Sequence, residues 1–416
     1  MHAALRATGR DVAAWHVPGR VELLGKHTDY AGGRSLLAAL DRGLVIGMAP
    51  RSDATVTFLD TASRARAAFE LEPTLVPLNG RWAGYPMTVA RRIARNFPHA
   101  RRGADLALAS DLPSASGMSS SSAFIVATFL ALAEANELQA TDTWREHLAT
   151  PEALAEYLGC IENGQSFGPL TGDRGIGTFG GSQDHTAIVC CRAGQVSRYS
   201  FAPVTFEGAT PWPEGMELVV AVSGVRSRKS GPQQAAFNRL SLGTREILRR
   251  WREASGSEAA TLAAAAAEPG APAAIEKLLE AGADPEFPAA FLVHRFRQFV
   301  RESFEIIPAA AAALERGDLA AFGRQVDASQ AGAEEGLENQ VPETIHLARR
   351  ARALGAHAAS SFGAGFGGSV WAMVERDAVD SFGRAWMDGY QREFPAAARR
   401  AQCFRSALGP GARRLD

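Results

Sequence analysis

Apolar positions along the first half of the chain fall into two rhythms. The runs "LVIGMAP", "ATVTFLD", "ADLALAS" and "TAIVCC" read as strands, whereas "YPMTVARRIARNF", "SSSSAFIVATFLALAEANEL" and "PEALAEYLGCIENG" continue over helical turns. Such mixing predicts an α/β or α+β unit. It closes near "APVTFEGATPWPEG", a connector rich in proline and glycine. Beyond it, "MELVVAVSG" reads as a fresh buried strand, followed by a long Ala-, Leu- and Arg-rich stretch of helices and a last strand, "GSVWAMVE". Within that stretch, "SEAATLAAAAAEPGAPAAIEKLLEAGADPE" reads as two helices broken at Pro269-Gly270. Two domains are expected, 1–212 and 213–416. The basic run "RRIARNFPHARR" reads as a solvated helix face and its exit.

The 416 residues, 46% of them hydrophobic, are enough for two sizeable cores. A net charge of -1 offers no global field for nucleic acid or an anionic membrane, so any anionic ligand has to be held locally. The start of the chain shows no apolar signal-peptide run and no segment is apolar for long enough to span a bilayer, which points to the cytoplasm. Cys160, Cys190, Cys191 and Cys403 lack C-x-x-C spacing and read as reduced, mostly buried thiols. The nine histidines form no zinc pattern; a metal here would be oxygen-bound Mg²⁺.

Four loops carry candidate chemistry. In "WHVPGRVELLGKHTDYAGG", Gly19 and Gly25-Lys26 imitate a phosphate-binding P-loop, but the spacing is one residue too long and His27 stands where a Ser or Thr would hold Mg²⁺. "VELL" moreover reads as a strand that follows the first glycine instead of preceding it. In "DLPSASGMSSSSAFIV", four serines open an apolar helix whose free N–H groups suit phosphate oxygens, although they also read as a plain N-cap. "GIGTFGGSQDHTAIV" sets Asp184 after a glycine turn and before a strand or helix, where a carboxylate could position an attacking hydroxyl or simply cap the turn. In "SSFGAGFGGSVWAMV", Gly363, Gly365, Gly367 and Gly368 allow close backbone approach to a ligand.

In this order, the loops resemble the signature motifs of the GHMP small-molecule kinases. "PGRVELLGKHTDYAGG" is similar to the galactokinase signature Pro-Gly-Arg-Val-Asn-Leu-Ile-Gly-Glu-His-Thr-Asp-Tyr-Asn-Gly-Gly, "PSASGMSSSSA" to the phosphate loop, and "GAGFGG" to the third motif. "VVAVSGVRSRKSGPQQAAFNRL" resembles a further galactokinase segment, so the likeness spans nearly the whole chain. It implies an N-terminal domain like ribosomal protein S5, a ferredoxin-like C-terminal domain, and ATP and sugar in the cleft between them.

The resemblance makes Asp184 the catalytic carboxylate and Arg20 the cation that keeps it ionised. Ser121 and Glu162 become the Mg²⁺ ligands. Pro113, Gly117, Met118, Ser119, Ser120, Ser121, Ser122 and Gly367 surround the phosphates of ATP. His27, Asp29 and Gly365 meet the sugar, as do the two departures from the signature, Lys26 in place of Glu and Phe237 in place of Tyr. "GQSFGPLTGDRGIG" implies an inserted loop over the cleft, and "GSQDH" departs from the usual Gly-Ile-Met-Asp-Gln. The expected activity is ATP-dependent phosphorylation of the anomeric hydroxyl of a monosaccharide by a monomer or homodimer. The departures leave open a uronic acid or other sugar as substrate, and a non-catalytic sugar and ATP sensor. For Lys26 two partners are open, a carboxylate on the substrate or a protein acid such as Glu22.

Overall fold

The computed structural model describes residue 5 and residues 10–78, 80–113, 116–227, 232–282 and 284–415. Its strands are β1 Ala13–Leu24, β2 Arg34–Pro50, β3 Thr55–Asp60, β4 Arg66–Glu70, β5 Ala104–Ser110, β6 Gln195–Ser200, β7 Thr205–Pro211, β8 Met216–Val222, β9 Ala358–Phe362, β10 Ser369–Glu375, β11 Gln402–Ser406, β12 Leu408–Gly409 and β13 Arg413–Leu415. The principal helices are α1 Gly84–Asn96, α2 Ser120–Ala135, α3 Pro151–Asn163, α4 Gln183–Cys190, α5 Pro232–Ser255, α6 Ala289–Val300, α7 Ile307–Glu315, α8 Leu319–Glu335, α9 Pro342–Ala353 and α10 Val379–Glu393.

The first sheet has the order β13-β1-β2-β5-β3-β4, with β6, β7 and β12 joined through β2. Helix α2 is apolar on every side, and from Ser122 to Ala133 every residue is buried, as a helix without a polar face requires. It packs on β1 and β2 and against α1 and α3, so its serine-bearing N-terminus is held at the end of a buried rod. The second sheet is antiparallel, β11-β8-β10-β9; read in chain order the strands give the 4-1-3-2 arrangement of a ferredoxin-like β-α-β-β-α-β unit. Trp386, Tyr390, Leu347 and Ala351 cover one face of it from α10 and α9. Of the two classes that the apolar rhythms left open, the α+β class that the resemblance implies is the one observed.

Several local expectations change. β1 does not begin after Gly19: it runs through "PGR", and the antiparallel register with β2 shifts between Pro18 and Arg20. "TAIVCC" belongs to helix α4, because the turn of Gly180-Gly181 and Ser182 starts a helix that buries Thr186, Ala187 and Ile188; its β-branched residues imitate a strand. The two helices around Pro269-Gly270 are present, at Leu262–Ala266 and Ala271–Glu280. The basic run is solvated only in part: Arg95, Arg101 and Arg102 are exposed, as expected, but its first two arginines are not. Arg91 and Arg92 are buried on α1, where Arg92 donates to the carbonyls of Thr171, Cys160 and Gln165 and Arg91 pairs with Asp173 at 2.8 Å.

The chain changes sheets between Pro211 and Met216, but its tail returns: β12 pairs with β2 and β13 with β1. One apolar cluster also joins the two layers, with Val21, Leu23, Leu36 and Leu40 from the first sheet packed together with Val220, Trp371, Phe322 and Ile307.

Candidate functional site

A cavity of about 770 Å³ opens between the layers and gathers residues from all four loops, among them Arg20, Asp29, Ser120, Glu162, Asp184 and Gly363. Strand periodicity sets its first wall. Val21 and Leu23 point into the shared core, so Arg20 and Glu22 share the opposite face and line the cavity.

Arg20 is 3% exposed along its side chain and donates from Nε to Asp184 Oδ1 at 2.7 Å, while a second nitrogen donates to Gly117 O at 2.6 Å. Asp184 occupies the first turn of α4, where the helix dipole favours its negative charge. Gly363 stacks directly on this arrangement: its φ of 83° suits glycine, and a Cβ there would lie 2.8 Å from Gly117 O and 3.3 Å from the Arg20 guanidinium. Three loops distant in sequence thus meet around one ion pair.

The serines divide by depth. Gly117, Ser119, Ser120 and Ser121 line the cavity, with Ser119 in the left-handed region at φ 54°. Ser122 is buried beneath them and donates to Glu162 Oε2 at 2.7 Å, with Asp184 Oδ2 at 3.3 Å. His185 Nε2 lies 3.1 Å from the same Glu162 oxygen. The serine that stands between the two carboxylates is therefore Ser122, not Ser121, because the first helical turn rotates Ser121 toward the opening.

At the other end, His27 has φ 57°, and both of its ring nitrogens are engaged, Nδ1 with the Tyr30 hydroxyl at 3.0 Å and Nε2 with Ala364 O at 3.1 Å. Since the carbonyl can only accept, Nε2 carries the proton and Tyr30 donates to Nδ1. Burial, with the Arg295 charge nearby, pulls His27 down to about 4. Asp29 accepts the Gln183 N–H at 3.1 Å, and burial raises its pKa. Phe237 lies against the His27 ring at 5.2 Å.

Lys26 does not line the cavity. Its ammonium is buried, 1% exposed, and donates to Ser360 Oγ at 2.8 Å and Ser329 Oγ at 3.2 Å, because Gly25 at φ 112° turns the chain away from the cavity wall. Gly365 and Gly367 also stand off it. Gly365 is held against Asn339 and Gly367 against Val225, leaving Gly363 and Ala364 as the loop residues in the wall. Pro113 and Met118 do not line the cavity; Met118 is buried within the shared core. Residues 228–231 of the expected galactokinase segment lie outside the described residues.

The inserted loop after Glu162 closes one side of the cavity. Asn163 organises it, accepting from Thr178 and Gly180 and donating to Gly181 O, while Asn238 of α5 accepts the Phe179 N–H. Asn163, Tyr30 and the aromatic wall of Trp82, Tyr85 and Phe124 escape a reading by loop motifs, since they become neighbours only through packing. Among the described residues no helix is long and apolar enough to cross a membrane.

Two buried groups give a pH prediction. Burial pushes the Glu22 carboxyl up to about 7, so protonation stabilises the fold as pH falls from about 7 to 4.5. The lowered His27 acts in the opposite sense, costing stability as pH falls from about 6.5 to 4. Between about 4.5 and 6.5 their slopes cancel, since each state binds one proton across the pair. Glu22→Gln removes one side of this balance, so its stability relative to wild type should fall by about 1.4 kcal/mol per pH unit on acidification through that window. Urea denaturation at stepped pH measures this; parallel wild-type and variant curves would refute it.

Comparison with known proteins agrees with this geometry. Residues 6–50 match a model of the galactokinase galactose-binding signature, 84–164 the GHMP kinases N terminal domain and 310–391 the GHMP kinases C terminal domain. A galactokinase of Chloroflexus aggregans is 32% identical over 380 residues, covering 90% of this chain and 86% of its own. One from Streptomyces coelicolor is 30% identical over 412 residues, covering 96% and 94%. The fold is similar to that of Lactococcus lactis galactokinase complexed with galactose, with a TM-score of 0.80 at 21% identity over 100% of this chain and 99% of that one. The chain belongs to the galactokinase group of the GHMP kinases and is an ATP-dependent sugar kinase.

Proposed function

We propose that the protein transfers the γ-phosphate of ATP to the anomeric hydroxyl of galactose. The observation that carries this reading is the Arg20–Asp184 pair beside the serine-bearing end of α2, with His27 and Asp29 beyond it. Asp184 orients the attacking hydroxyl and takes its proton, early or late, as phosphoryl transfer allows. Arg20 keeps that carboxylate ionised and balances charge on the transferring group. The N–H groups at the start of α2 receive phosphate oxygens, and Trp82, Tyr85 and Phe124 offer apolar surface to the base.

Ser122 and Glu162 form a hard oxygen donor set that fits magnesium, pre-oriented by their mutual hydrogen bond and by His185. When bound there, the ion would neutralise phosphate charge. A uronic acid as substrate is less well supported, since Lys26 is turned into a cluster of serines.

Purified protein with Mg-ATP and a panel of aldoses and uronic acids should release ADP with galactose, and phosphorus NMR should locate the product phosphate on the anomeric carbon. Absence of ADP above background with every sugar would reject the reading. Ser122→Ala should weaken the apparent Mg²⁺ affinity about 10- to 100-fold, with Ser121→Ala close to wild type. The reverse order would return the metal to Ser121.

A further inference from the structure

We propose that Glu22 determines sugar specificity: its carboxyl group accepts a hydrogen bond from a hydroxyl on the far side of the sugar ring and turns away sugars that carry a carboxylate there. The inference rests on the sugar kinase reading of the cavity and names a residue that this reading does not use.

Position is the first support. Arg20 and Glu22 are two residues apart on one face of β1, which separates their Cα atoms by roughly 7 Å. Arg20 is fixed at the reacting end by Asp184. Glu22 therefore stands further along the wall by a distance comparable with the width of a pyranose ring.

Spare bonding capacity is the second. Glu22 is 2% exposed, lines the cavity, and its Oε1 is buried without a hydrogen-bond partner among the described residues. A buried acceptor left unpaired is costly until a donor arrives. Its neighbours are already occupied: Lys26 bonds Ser329 and Ser360, Arg20 bonds Asp184 and Gly117, and His27 uses both ring nitrogens within the protein. A sugar hydroxyl is a donor of the right kind for the vacant oxygen.

Charge is the third. His27, Asp29, Tyr30 and Phe237 line this end beside Glu22, and burial keeps His27 neutral near pH 7, so none of them brings a cation to meet a substrate carboxylate. Above pH 7, where Glu22 is ionised, a uronate would set its charge against that of Glu22 in a sheltered site.

The test is steady-state kinetics of wild type, Glu22→Ala and Glu22→Gln with galactose, its monodeoxy derivatives and galacturonate. Glu22→Ala should raise the galactose KM roughly 5- to 100-fold with kcat within about threefold. For one deoxy sugar, that lacking the bonded hydroxyl, the same substitution should cost nothing further. Glu22→Gln keeps an acceptor and the side-chain shape but not the charge, so it should retain most galactose affinity and gain about 10-fold or more in kcat/KM with galacturonate. If Glu22→Ala does not fold, the Gln variant decides alone. An unchanged galactose KM in Glu22→Ala, equal losses for every deoxy sugar, or undiminished rejection of galacturonate by Glu22→Gln would each overturn the assignment while leaving the kinase reading intact. Wild-type preference for galacturonate would overturn it too. Wild-type protein that phosphorylates no sugar removes the reading and the assignment together.

Discussion

Asp184→Asn is expected to lower kcat by at least about 10²-fold with the fold intact, and Arg20→Ala to do the same. The amide fills the space of the carboxylate and can hold a hydroxyl, but it cannot take the proton or pair with the guanidinium. Arg20→Ala removes the guanidinium that pairs with Asp184 and the donor to Gly117 O, which loosens the phosphate loop against the catalytic carboxylate. Because the two groups act as one unit, the double variant should be little worse than either single one. Stopped ADP-release assays, with circular dichroism as the control for folding, measure these losses. Near-normal turnover by either variant would overturn the assigned mechanism.

The largest stability effect is expected away from the chemistry, at Arg92. This side chain is 0% exposed and donates to three carbonyls, Cys160 O in the last turn of α3 at 2.8 Å and Gln165 O and Thr171 O within the inserted loop. Arg92→Met should destabilise the protein by about 3–5 kcal/mol, since it strands buried acceptors and leaves Asp173 with less positive charge around it. Urea midpoints give the magnitude. Limited proteolysis should show faster cleavage within residues 164–181 than elsewhere. A loss below about 1 kcal/mol would mean that water replaces the guanidinium.

Why Arg92 escaped a reading of the sequence is instructive. A run of arginines on an amphipathic helix is ordinarily solvated, and nothing within that helix says that another segment of chain will lie over it. The same limit explains Lys26 and the division of the four serines by depth. Their chemistry and neighbourhood were legible, as were the α+β class, the four loops and the Arg20, Glu162 and Asp184 constellation. Their direction was not. The turn at Gly25 sends Lys26 into Ser329 and Ser360 from distant helix and strand positions, and one residue of helical rotation separates Ser121 at the opening from Ser122 between the carboxylates. Motif spacing reports which residues gather, whereas tertiary packing decides which atoms face inward. "TAIVCC" adds a simpler case, where β-branched residues fill a short helix because its partners are strands of the same core.

The apolar cluster beneath β1 bears on how the molecule can come apart. Val21, Leu23 and Leu36 of one sheet pack with Trp371 and Val220 of the other and with Phe322 of α8, and β13 fastens the outer edge of the catalytic strand. A chain severed between Pro211 and Met216 would keep one apolar cluster within each fragment but split this shared one, leaving each fragment an apolar face toward water. The boundary between the sheets thus runs through a shared interior, and ligand binding in the cleft should raise the melting of both sides as one cooperative transition.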